Sequence, residues 1–120
     1  MRIDEMRAGK EMDALVAEKV LNYSLTGDKY IILDIGIGER GGVKAVPNYS
    51  TDIAEAWEVV EKITEKHWKF KLRRLPGKDY MAYFQNLLSF PTESESAPSK
   101  SAPLAICRAA LKAVLGRDKI

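Results

Sequence analysis

The sequence predicts an α+β fold, a helix–sheet–helix sandwich with a small, mainly antiparallel sheet. Three segments have the apolar spacing of amphipathic helices, and one alternating segment turns back on itself as a β-hairpin. The resulting order is α-β-α-β-β-α. Three helices cannot bury their apolar stripes on each other and also cover only one side of a three-stranded sheet. We therefore expect helices on both faces of the sheet.

The first and third helices have recognisable ends. The first is predicted within residues 4–20, and its firm part begins near Lys10 because Gly9 weakens a helix. The third is predicted to start after Ser101-Ala102-Pro103, where proline fits the first helical position, and to end at Gly116. The apolar stripe of the third helix consists of Leu104, Cys107, Leu111 and Val114.

The second helix has the clearest pattern. Ser50, Thr51 and Asp52 are successive N-cap candidates, and Asp52 with Glu55 has the spacing of a capping box. We expect Asp52 to be the cap and Trp57 to anchor the core. The predicted buried stripe consists of Ile53, Ala56, Trp57, Val60 and Ile63.

The strands lie between the helices. A short apolar run, residues 30–33, is predicted to be the first strand. The hairpin is predicted from residues 68–75 and 80–88, which flank a Pro-Gly turn at residues 76–79. Two further segments are predicted to lack regular structure: residues 34–48 and the exposed loop 90–100.

Composition limits the function classes. The 120 residues fit a single domain spanning residues 1–120. The net charge of +2, from 19 basic and 17 acidic side chains, does not argue for a dedicated nucleic-acid-binding protein. No apolar run is long enough for a bilayer, and no signal peptide or membrane contact is expected. The single cysteine, Cys107, excludes an internal disulfide and suits a reducing, cytoplasmic compartment.

No set of residues predicts catalysis, a metal site or a cofactor. Residues 36–41 spell G-x-G-x-x-G, but no helix start follows, so a glycine-rich loop is favoured over a phosphate-binding site. His67, the only histidine, is expected at the surface, and Cys107 in an apolar helix stripe. Three glutamates of the second helix are interpreted as a solvated face: Glu55, Glu58 and Glu61.

The candidate binding residues are Lys69, Lys71 and Arg73, which strand alternation places on one side of the first hairpin strand. We call these three residues the basic stripe. It can protect an edge strand from pairing with another chain, and this interpretation is favoured. Alternatively, it can bind phosphate groups of a ligand or nucleic acid. Arg74 and Lys78 can extend the stripe.

Three stretches, residues 9–20, 47–62 and 102–111, resemble the phage ABA-sandwich domain family of small phage and prophage proteins. The specific parts are Tyr-Ser-Thr-Asp-Ile with a tryptophan five residues after the aspartate, and Ala-Ile-Cys-Arg-Ala-Ala-Leu. Residues 22–46 do not fit the pattern. The resemblance implies the sandwich fold and a viral or prophage origin. It implies no reaction.

The expected function is therefore that of a phage- or prophage-encoded accessory protein in the host cytoplasm. It is expected to act as a non-catalytic binding module for a host protein or a small ligand. The alternative is weak nucleic-acid binding through the basic stripe. An enzyme acting on nucleotides is a third class that no residue pattern favours, and the oligomeric state is left open.

Overall fold

A computed structural model describes most of the chain, namely residues 2–26, 29–32, 42–65, 67–77, 79–88 and 93–116. Within these residues the elements are a 3₁₀ turn at Ile3–Glu5, α1 (Lys10–Lys19), β1 (Leu25–Thr26), β2 (Lys29–Ile32), β3 (Gly42–Ala45), α2 (Ile53–Thr64), β4 (Trp68–Arg74), β5 (Tyr80–Asn86), β6 (Glu93–Glu95) and α3 (Ala102–Leu115). The α+β fold class is confirmed. Among the described residues, no helix is long and apolar enough to cross a membrane.

The strands form two antiparallel sheets. The N-terminal sheet has the order β1-β2-β3, and the C-terminal sheet has the order β4-β5-β6. The predicted hairpin is confirmed, since Trp68 pairs with Asn86 and Arg74 with Tyr80. Gly77 in its turn has a φ of 93°, a conformation that glycine adopts without steric cost. Among the strands of the described residues, the order β4-β5-β6 leaves β4 at an edge of the sheet.

Helix α3 lies at the centre of the packing. It contacts β5, β6, α2, α1 and the 3₁₀ turn. Small side chains allow these close approaches, because Ala105, Ala109 and Ala110 are fully buried. The helix begins at Ser101, whose hydroxyl accepts from the Leu104 N–H, and it ends at Gly116 with a φ of 67°. Leu104, Cys107 and Leu111 are buried as predicted, whereas Val114 in the last turn is exposed.

The prediction that Trp57 is buried is wrong. Helix α2 begins as expected, with Oδ1 of Asp52 accepting from the Ala54 N–H at 2.8 Å. Its buried face, however, is formed by Ala56, Val59, Val60 and Ile63. This set has the i, i+3, i+4, i+7 spacing of one helix face, and it leaves Trp57 at the flank with 49% of its surface exposed.

Two segments predicted to be irregular contain strands. Residues 42–45 form β3, and residues 34–41 of the same predicted segment lie outside the described residues. Glu93–Glu95 form β6 within the predicted exposed loop. Serines are compatible with burial there because their hydroxyls bond the backbone. The Ser94 hydroxyl donates to the Ala109 carbonyl, and the Ser96 hydroxyl accepts from the Ala82 N–H at 3.0 Å.

A buried polar pair joins α1 to the turn before α2. Asp13, only 4% exposed, accepts from both the backbone N–H and the hydroxyl of Ser50, at 2.8 and 2.6 Å. The Ser50 hydroxyl oxygen also accepts from the Gly9 N–H at 2.9 Å. Ser50 is thus used for tertiary contact, and Asp52 alone caps α2. These hydrogen bonds therefore fix the position of the start of α2 relative to the start of α1.

Candidate functional site

The basic stripe lies where the sequence places it. Lys69, Lys71 and Arg73 are exposed side chains on one face of β4. The side chains of Ala82 and Phe84, on the other face of the sheet, are buried, and α2 and α3 both contact this sheet. The stripe therefore lies on the face opposite the buried residues. Arg74 does not extend it, because its guanidinium lies 5.8 Å from the Tyr80 ring centroid at the end of the strand. Lys78 lies outside the described residues.

The stripe borders a groove of about 340 Å³ on the outer face of the C-terminal sheet. Tyr83 and Gln85 of the neighbouring strand form its floor, and Glu93 of β6 lies on the far side. The Nζ atom of Lys71 is 5.7 Å from the centroid of the Tyr83 ring, a cation–π distance. The groove thus carries three cations along one wall and a carboxylate on the other.

An exposed apolar surface lies next to the basic stripe, on the other side of β4. Leu72 is 38% exposed, and on α2 Ile53 is 50% and Trp57 49% exposed. The indole of Trp57 stands edge-on to the Phe70 ring, with 5.8 Å between ring centroids. This contact connects the exposed face of α2 to the edge strand. We call Ile53, Trp57, Phe70 and Leu72 the apolar flank.

The sequence analysis missed the apolar flank because it assigned Ile53 and Trp57 to the core. The signal that could have separated them is Val59, an apolar residue that the predicted stripe leaves out. Including Val59 rotates the centre of the stripe away from Trp57. A large aromatic residue at the margin of a helix face then becomes a candidate surface contact.

The other sequence candidates do not come together with the basic stripe as a reactive site. His67 is exposed just before β4, and its carbonyl accepts from the Leu87 N–H at 2.7 Å. Burial, with a smaller contribution from the charge of Asp13, raises the pKa of the Cys107 thiol well above its usual range. A thiol in this environment stays protonated and is a poor nucleophile.

The glutamates of α2 lie along one helix, where neighbouring negative charges affect Glu55. Burial raises the pKa of Glu55, and the charges of Glu58 and Asp52 raise it further. The residues that the structure describes contain no cluster of three or more side chains arranged to hold a metal ion. The G-x-G-x-x-G motif at residues 36–41 lies outside those residues.

Comparison with known proteins gives a family and a structural relative. A family profile described as the phage ABA sandwich domain matches residues 14–111. The chain is also similar to a phage protein from Bacillus cereus ATCC 14579, whose crystal structure was solved at 2.0 Å. The two are 28% identical, the match covers 91% of this chain and 93% of the other, and the TM-score is 0.64. No curated protein matches the chain.

Proposed function

The chain belongs to the phage ABA sandwich domain family, and from this membership we propose that it is a phage- or prophage-encoded accessory protein, a non-catalytic binding module for a host protein or a small ligand. Of these two ligand classes, the surface favours a protein. The proposal places the chain in the cytoplasm of the bacterial host. Cys107, a buried free thiol, suits that reducing compartment.

The exposure of Trp57 beside an edge strand is the observation that carries the proposal. About half of the surface of this large aromatic side chain is exposed to water, although the helix that carries it has a buried face. Tryptophan and arginine are enriched among the residues that dominate protein–protein binding energy. Exposed apolar residues with charged residues nearby are typical of such sites, and here the basic stripe lies across β4 from Trp57 and Leu72.

Affinity capture tests the proposal when it is paired with surface variants. The tagged full chain is recovered from infected host cells, and its bound proteins are identified and then purified for binding measurements. We expect a host protein whose affinity falls at least about tenfold with Trp57→Ala. Lys100→Gln, a change of an exposed cation that is not part of the flank, is the control and should bind as the unmodified chain does. Equal binding by both variants would contradict the proposed surface.

Weak nucleic-acid binding is the second candidate, because three exposed cations follow one another along β4. Glu93 and Glu95 project from the same face of the sheet, and their charge disfavours a phosphate backbone there. We therefore expect no mobility shift of DNA or RNA at low micromolar protein. If binding occurs, three phosphate contacts would give a log–log salt slope of roughly −3 on duplex DNA. Replacing the three cations by glutamine would abolish it.

A further inference from the structure

The hydrogen bonds between β4 and β5 determine which backbone groups of β4 point away from β5. The Leu87 N–H donates to the His67 carbonyl at 2.7 Å, and the Leu75 N–H donates to the Asp79 carbonyl at 2.6 Å. In an antiparallel pair, hydrogen-bonded positions alternate with positions whose backbone groups point away. Odd-numbered residues of this strand therefore bond β5, and even-numbered residues face the other way.

Bonding on the far side of β5 agrees with this assignment. The Ser96 N–H donates to the Ala82 carbonyl at 3.0 Å, so even-numbered residues of β5 bond toward β6. Among the described residues, β5 is the only strand paired with β4. The outer edge of β4 thus presents the backbone N–H and C=O groups of four residues: Trp68, Phe70, Leu72 and Arg74.

The two sides of this edge differ in chemistry. On one side stand the cations Lys69, Lys71 and Arg73, all exposed. On the other side lies the apolar flank, in which Trp57 and Leu72 are partly open to water. A strand added to the edge would place alternate residues on these two sides, because side chains alternate along a strand.

We propose that the edge of β4 binds an extended segment of a partner protein whose residues alternate between acidic and apolar, added antiparallel as a fourth strand of the C-terminal sheet. Acidic residues would lie opposite the basic stripe, and apolar residues would cover Trp57 and Leu72. Main-chain hydrogen bonds supply the affinity of such strand addition, and the side chains supply its specificity. The inference deepens the proposed function, on which it rests, by naming the partner chemistry.

The register of the added strand is fixed by both sides. In antiparallel pairing, residues opposite Lys69, Lys71 and Arg73 occupy non-hydrogen-bonded positions, where facing side chains are closest. A shift by one residue would place each acid against the apolar flank and each apolar residue against a cation. Therefore only the register that places acidic residues opposite the basic stripe also places apolar residues over the apolar flank.

Charge also distinguishes this partner from a second copy of the chain. Pairing two β4 strands edge to edge about a two-fold axis would place one basic stripe directly against another. Like charges directly opposite each other in neighbouring strands are destabilising. The stripe thus repels its own copy and attracts an acidic strand.

A synthetic peptide tests the proposal on the full chain. The probe is a terminally blocked seven-residue peptide of alternating glutamate and valine, matched in length to β4. Its control has the same composition, with the glutamates grouped together. We expect saturable binding of the alternating peptide with a Kd below about 1 mM, and slower hydrogen exchange at the amides of Phe70 and Leu72. The grouped peptide should bind at least about tenfold more weakly.

Backbone methylation separates strand addition from simple charge attraction. Methylating the valine amides of the peptide removes the donors that face β4 and should abolish binding. Methylating the glutamate amides, which point away, should leave most of the affinity. In the protein, Lys71→Glu should weaken binding at least about tenfold by placing like charges opposite each other, whereas Lys100→Glu should not. Circular dichroism confirms that each variant is folded.

Several results would overturn the inference. These are an absence of saturable binding, equal binding of the alternating and grouped peptides, and equal binding of the two methylated peptides. Self-association of the chain through this edge, or binding of an oligonucleotide in place of the peptide, would also overturn it. If the peptide fails while a host protein is captured through Trp57, only the strand-addition mode is wrong. If the peptide binds and no host protein is captured, the proposed function is wrong.

Discussion

Asp13 and Ser50 are separated by 37 positions in the chain and meet in the interior. A buried carboxylate needs hydrogen-bond donors, and Ser50 supplies two of them from one residue. The same hydroxyl group bonds Gly9 at the start of α1. One serine therefore satisfies two polar groups of α1 and its N-terminal end, the Asp13 carboxylate and the Gly9 N–H.

We expect Ser50→Ala to lower the free energy of unfolding by ~1–3 kcal/mol, because the buried Asp13 carboxylate loses a donor. Urea denaturation followed by circular dichroism measures the change. Thr51→Ala is the matched control, since Thr51 is an adjacent but exposed hydroxyl residue, and it should change stability by less than ~0.5 kcal/mol. Equal effects of the two substitutions would contradict the role given to Ser50.

The exposure of Trp57 changes what its removal should do. Full burial would make Trp57→Ala cost ~3–5 kcal/mol, and about half of that burial is missing, so we expect ~1–2 kcal/mol. Phe84→Ala, at a fully buried position of β5, should cost ~3–5 kcal/mol and serves as the comparison. Denaturant midpoints of the two variants decide between these values. A larger loss at Trp57 than at Phe84 would place the indole in the core.

At the scale of the elements, the helix starts are determined by contacts between residues that are close together in the sequence. Asp52 accepts from the N–H groups of Ala54 and Glu55, and Ser101 accepts from the N–H of Leu104. Each cap satisfies amides that the first turn leaves without helical partners. Because these contacts involve residues two or three positions apart, they can be read from the sequence, and the Asp52 cap was predicted in this way.

Loss of the α2 cap should be measurable. We expect Asp52→Ala to reduce stability by ~1 kcal/mol, and Asp52→Asn, which keeps an acceptor oxygen, to reduce it by less. Thermal and urea unfolding of the two variants test this. A loss that is equal for alanine and asparagine would mean that the charge of Asp52, and not its hydrogen bonds, stabilises the helix start.

The predictability of each element follows from the range of the contacts that define it. The helix boundaries, the hairpin and the two-sided distribution of charge on β4 depend on neighbours in sequence and were predicted. β6 and the buried serines depend on α3 and β5, whose positions composition does not reveal. For the candidate site, the cations were predicted, but the apolar flank was not. Which face of α2 meets the sheet depends on tertiary packing.

At the scale of the whole molecule, Cys107 is a probe of global opening. It lies fully buried in α3, the helix that contacts most other elements. We expect a thiol reagent to modify Cys107 only as fast as the molecule unfolds, and rapidly in urea. Rapid modification of the folded chain would show that α3 separates locally from its neighbours.

The pKa of Cys107 also gives stability a pH dependence. Burial raises this pKa in the folded state. The protonated thiol therefore makes its full contribution to the free energy of unfolding below ~8.5, the pKa in the unfolded chain, and this contribution is lost as pH rises above that value. Above that pH the unfolded thiol ionises and the folded one does not. Compared with Cys107→Ala, the unmodified chain should lose ~1.4 kcal/mol more stability per pH unit. Parallel pH profiles of the two proteins would contradict this expectation.

The central position of α3 has a consequence for biosynthesis. Among the described residues, every element that packs on this helix precedes it in the chain. While the ribosome is still translating the preceding segments, the hairpin and α2 lack α3, the helix against which both bury apolar side chains. The emerging polypeptide therefore stays open, and exposed to chaperones and proteases, until residues 102–115 leave the exit tunnel. Its folding is therefore timed by the synthesis of α3.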